Sequence, residues 1–113
     1  MIQEQSPNQK ETSKRLSILT KLHRHGQFSP VLDRAIDKAL AYETNVSRVQ
    51  LEQLQNDLHE FEQRYHLSSA AFYHQFQDGK IDDSIDYTEW ATLIQIVNNL
   101  KEKLQLLTSE DRT

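Results

Sequence analysis

Residues 51–65, LEQLQNDLHEFEQRY, and residues 90–107, WATLIQIVNNLKEKLQLL, decide the fold. In the first, Leu51, Leu54, Leu58, Phe61 and Tyr65 alternate steps of three and four; Trp90, Leu93, Val97, Leu100, Leu104 and Leu107 do so in the second. Apolar side chains spaced 3.5 residues apart on average lay a single seam along a helix. Each segment is therefore a helix with a stripe to bury. The connector between them has ample length to reverse the chain, so the seams are expected to face each other in an antiparallel hairpin. Leu51, Leu54, Leu58 and Phe61 are then one half of its core, and Trp90, Leu93, Val97, Leu100 and Leu104 the other.

Outward from these seams the chain reads as further helices. Ser68 is an N-cap, and Ala71, Phe72, Tyr73 and Phe76 give a short helix closed by Asp78-Gly79. The last helix is expected to begin near Asp86, whose carboxylate can cap it, and to run to about Leu107. Upstream, Ser29-Pro30 combines an N-cap with a proline in the first turn, and Leu32, Ile36, Ala39 and Leu40 follow at helical spacing. Thr44-Asn45 does not forbid helix as proline would, which favours one long helix from 30 to 65 over a break. A first helix, with Leu16, Ile18, Leu19 and Leu22 as its stripe, is expected from Thr12 or Ser13 to the His25-Gly26 stop. With only two glycines and no alternating strand pattern, the fold class is all-α. It is a small helical bundle built on a long-helix hairpin, with residues 1–12 a polar tail, 13–107 one domain and 108–113 a frayed end.

Charge divides the chain. Residues 1–48 hold eight Lys/Arg and five Asp/Glu, a net +3, whereas residues 49–113 hold five and twelve, a net −7. An acidic back half suits a basic partner. The pI near 5.7, and Asp33 and Asp37 beside the only turn that resembles a helix-turn-helix, disfavour DNA contact. No apolar run is long enough for a membrane span, and the first residues lack a signal-peptide pattern, which leaves the cytoplasm as the expected compartment. The absence of cysteine removes disulfides, thiolate zinc sites and cysteine nucleophiles.

Chemistry is sparse. Asp78, Asp82, Asp86 and Glu89 fall at the first, fifth, ninth and twelfth positions of a calcium-loop frame. Lys80 stands third, where an oxygen ligand belongs, and Asp83 sixth, where the turn needs glycine, so no metal is expected. The five histidines form no His-x-x-x-His pair, and no nucleophile elbow or glycine-rich oxyanion loop is present. No catalytic residue, cofactor or small-molecule substrate is assigned, and the protein is not expected to be an enzyme.

The run Phe61-Glu62-Gln63-Arg64-Tyr65-His66-Leu67-Ser68-Ser69-Ala70-Ala71-Phe72-Tyr73, followed by Phe76-Gln77-Asp78-Gly79, Asp82-Asp83 and Glu89-Trp90-Ala91, resembles small helical antitoxin-like proteins of prokaryotic toxin–antitoxin modules. The likeness spans roughly residues 50–95. His66 stands where that pattern has glycine, so the long helix is expected to end differently here. The resemblance implies a protein-binding module that neutralises a cognate toxin by steric contact. With the charge pattern it points to Tyr73 as an aromatic anchor and to Asp78, Asp82, Asp83 and Asp86 as an acidic rim for a basic protein. The competing expectation is a self-associating coiled-coil structural or adaptor protein, a homodimer joined through its seams.

Overall fold

The computed structural model describes residues 8–82 and 84–109. They form four helices, α1 (Gln9–Arg24), α2 (Pro30–Tyr65), α3 (Ser69–Gln77) and α4 (Ile85–Thr108), with no strand among them. The chain is all-α, with the long helix running uninterrupted through Thr44-Asn45. The Thr44 hydroxyl turns back and donates to the Leu40 carbonyl at 2.8 Å, satisfying itself without breaking the helix. Two compact units lie on either side of a division after Ala39, which falls inside α2.

In the first unit, α1 begins three to four residues earlier than the sequence suggested. Asn8 is extended, and its side-chain oxygen accepts from the backbone N–H of Lys10 at 2.9 Å and of Glu11 at 3.4 Å. The residues that follow bury nothing and so looked like tail, yet Gln, Lys and Glu are good helix formers once capped. The helix ends as expected at Gly26, whose φ of 69° lets the Gln27 N–H reach the Leu22 carbonyl at 2.8 Å. Ser29 then caps α2 by accepting from Leu32 N–H at 3.1 Å. No described residue before Ser47 is buried.

In the second unit, α2 and α4 run antiparallel. Glu43 pairs with Lys103 at 3.0 Å towards one end, and Arg64 pairs with Asp86 at 3.2 Å towards the other. The two seams meet within the one chain: Phe61, Trp90, Val97 and Leu100 are buried, and Leu51, Leu54, Leu58, Leu93 and Leu104 are half-buried. The α2 seam continues two rungs further upstream than its leucines, through Ser47 and Thr44. Ser47 is fully buried, and its hydroxyl has no hydrogen-bond partner among the described residues.

α2 ends as if His66 were glycine. His66 takes a left-handed φ of 54°, and the Leu67 N–H returns to the Glu62 carbonyl at 3.2 Å. This is the six-to-one closure seen at Gly26, and it recurs at Gly79, where the Lys80 N–H reaches the Gln75 carbonyl at 3.0 Å. The expectation of a different helix end is corrected: the aromatic packing downstream holds the chain in a conformation that a Cβ disfavours. α4 starts one residue earlier than expected, because Ser84 rather than Asp86 is its N-cap, accepting from Tyr87 N–H at 3.3 Å.

Replacing His66 with glycine should raise stability by roughly 0.5–1 kcal/mol, the left-handed penalty relieved less the extra entropy of glycine in the unfolded chain. An unchanged or lower denaturation midpoint would contradict this. Leu100→Ala, at a seam position 9% exposed, should cost about 2–5 kcal/mol by the same measurement.

Candidate functional site

Trp90 lies at the centre of the core beside the expected interface. Its indole is fully buried and lies flat on Phe72, ring centroids 3.9 Å apart and planes 4° from parallel. Its other neighbours are Phe61 at 5.5 Å and Tyr65 at 5.8 Å. Each aromatic pair of this kind adds about 0.5–1.5 kcal/mol beyond area burial. The indole N–H donates to Ser69 Oγ at 2.9 Å, which ties α4 to the first turn of α3. Leu67, just before the Ser68 cap, joins the same cluster as Phe72 four residues past that cap, a staple that sets the entry angle of α3.

Two carboxylates lock this arrangement. Glu62 Oε2 accepts the Ser69 backbone N–H at 2.9 Å, and its other oxygen lies 3.1 Å from His59 Nδ1. Burial alone would raise the Glu62 pKa, but the hydrogen bonds from Ser69 and His59 outweigh it and hold the carboxyl below its ordinary value. Asp86 Oδ2 accepts a short hydrogen bond from the Tyr65 hydroxyl and one from Arg64 Nη1 at 3.2 Å. The Tyr65 bond, aided by Arg64 and opposed by desolvation, lowers the Asp86 pKa; the same bond, with burial, raises that of Tyr65. Arg64 also lies 5.1 Å above the centre of the Phe61 ring.

The described residues expected to meet a partner lie on α3, at its C-cap, in the connector and in the first turn of α4. Tyr73 is half-buried on α3, its hydroxyl accepting from Gln95 Nε2 at 3.1 Å. It borders a recess of about 440 Å³ whose apolar lining includes Leu58, Ile94 and Val97 and whose polar edge includes His74, Asn98 and Lys101. Asp78 is the C-cap residue of α3, 3.4 Å from His74 Nδ1, and Asp82 is exposed in the connector. Asp86 is bonded to Tyr65 and Arg64 but keeps 40% of its side chain exposed, close to the 44% of Asp78, and Asp83 lies outside the described residues. Phe72 and Phe76 pack into the core, leaving Tyr73 as the aromatic side chain of α3 nearest the surface recess. Among the described residues no group of three or more His, Asp or Glu is placed to hold a metal, and no helix is long and apolar enough to cross a membrane.

Sequence reasoning missed a second recess, on the other side of the hairpin. It has a volume of about 510 Å³, and its lining includes Gln53, Leu54 and Asp57 of α2 and Ile96, Leu100 and Lys103 of α4. Its signal was present in Ile96, an apolar side chain flanking the α4 seam with no rung of its own. Compared with family models, with curated proteins and with solved structures, the chain matches none.

The two depressed carboxyls set the acid response. A carboxyl whose pKa is lower in the folded than in the unfolded chain contributes stability above its unfolded pKa and loses it as pH falls through the folded one. With ordinary values of 4.5 for Glu62 and 3.8 for Asp86, the melting temperature of the second unit should decline below about pH 4.5. Glu62→Gln combined with Asp86→Asn should flatten that decline, and a double variant with the native slope would place the acid response elsewhere.

Proposed function

We propose that the chain is a non-catalytic protein-binding module of antitoxin-like type, acting in the cytoplasm, that occupies a basic partner protein by steric contact. The observation that carries this reading is the recess beside Tyr73. Its apolar walls are anchored by the Trp90 core, so a partner side chain entering it would meet a preformed surface. Preformed pockets with aromatic borders supply most of the binding energy at interfaces. The net −7 of residues 49–113 and the exposed carboxylates of Asp78 and Asp82 supply the field that would draw in a basic protein. The resemblance of residues 50–95 to antitoxin-like proteins supports the same reading.

The test uses the protein encoded next to this one as the partner. Co-expression should relieve whatever growth defect that protein causes, and purified chain should bind it directly. Asp78→Asn with Asp82→Asn should slow association and weaken its salt dependence, because rim charges act mainly on encounter. Tyr73→Ala should instead speed dissociation, by about tenfold for an aromatic anchor worth more than 1 kcal/mol. No binding, or binding with kinetics that none of these substitutions alters, would remove this face as the interface.

A further inference from the structure

The α4 seam has two flanks, and the chain covers only one. Ile94 lies on the flank that meets α3 and is 8% exposed, within the cluster of Phe72 and Trp90. On the opposite flank Glu89, Ile96 and Lys103 follow one another at intervals of seven residues, so they form a single row along the helix. Ile96 is 44% exposed and Lys103 has 48% of its side chain exposed, while Glu89 is exposed and takes part in no ion pair among the described residues. The row borders the hairpin groove along its length, Ile96 and Lys103 facing Leu54 and Asp57, and Glu89 facing Asp57, Glu60 and Arg64.

Read along the helix, this row is acid, apolar, base. Read backwards it is base, apolar, acid, which is its own complement. A two-fold axis passing beside Ile96 would set α4 antiparallel to α4 of a second copy and Ile96 against Ile96 of that copy. Glu89 and Lys103 each lie seven residues from Ile96, about 10.5 Å along the axis. Each glutamate would then stand opposite the lysine of the other chain, twice over. Self-complementarity of one patch is the requirement of a two-fold interface, and a general partner would have no reason to match this order.

We infer that two copies of this chain associate through the Glu89–Ile96–Lys103 row of α4, forming a symmetric antiparallel helix pair along the edge of the hairpin groove of each. Lys103 already holds Glu43 at 3.0 Å, but an ammonium has three donors and its side chain is half open, so it can serve a second carboxylate. On the α2 side of the groove near Glu89, Asp57 and Glu60 outnumber the one cation, Arg64, so the lining still favours an incoming lysine. One isoleucine per chain with a charged rim is a small interface, so association is weak and loosens as salt screens the two ion pairs. It uses the flank of α4 away from Tyr73 and stands or falls apart from partner binding there.

Sedimentation velocity of the purified full chain up to about 1 mM, the range where weak interfaces of this size are occupied, tests the inference. A reversible dimer is expected, weaker at high salt and abolished by Ile96→Lys, with helical content unchanged by circular dichroism. Glu89→Lys and Lys103→Glu should each weaken it about fivefold to tenfold, two exposed ion pairs being lost at once. The double variant Glu89→Lys with Lys103→Glu should bind more tightly than either single variant but less tightly than the native chain, since reversing the row restores both ion pairs while Glu43, Asp57 and Glu60 then face a carboxylate in place of the lysine. A monomer at every concentration, a dimer indifferent to Ile96→Lys, or a double variant weaker than either single one would overturn it.

Discussion

The stack of Trp90 on Phe72 is the contact on which the second unit depends. A flat indole that is wholly buried needs apolar faces and one partner for its N–H, and two other elements supply them: Phe72 and Ser69 from α3, Phe61 and Tyr65 from α2. Three helices are thus held by one side chain at the centre of the core, and the polar ties around it follow. Ser69 can accept from the indole only because α3 begins where it does, and α3 begins there because Glu62 takes the Ser69 N–H at the end of α2. His66 keeps its left-handed turn for the same reason: relaxing it would swing Ser68 and Ser69 away from the ring.

The hairpin was readable because its information is local and repeated. Seven-residue spacing names both helices and the face each buries, and Ser29, Ser68, Gly26 and Gly79 mark ends by chemistry that works within five residues. What escaped the sequence is of two kinds. Thr44 and Ser47 extend the α2 seam with polar side chains, so a hydrophobic pattern stops short of them even though the helix pair does not. Asp86 and Ser84 are both good caps two residues apart, and the choice between them rests on Tyr65, more than twenty residues away, which claims the Asp86 carboxylate. Which partner each carboxylate of the acidic connector takes is likewise set partly at a distance: Asp78 meets His74 four residues away, whereas Asp86 meets Tyr65 and Arg64.

The charge division has a structural counterpart. The helices before Ala39 carry mostly cations and bury nothing, whereas the residues after it concentrate both the carboxylates and the core. A 16-residue helix without burial is marginal in water, so α1 owes its persistence to its Asn8 cap, its strong helix formers and whatever contacts its half-covered stripe makes. The second unit, by contrast, has a buried core and a recess on either side of its hairpin, and such concave surfaces favour selective contact over general adhesion.

Trp90 is the sole tryptophan of the chain, and every ring that touches it belongs to the unit after Ala39. Its emission is therefore a private signal of that unit, blue-shifted while the indole is dry and red-shifted once water enters, and silent about α1. Far-ultraviolet ellipticity counts every helix alike. On heating, the two signals coincide for a chain that melts as one cooperative body and separate for one whose N-terminal helices fray first, so a single buried ring lets the protein report its own order of unfolding.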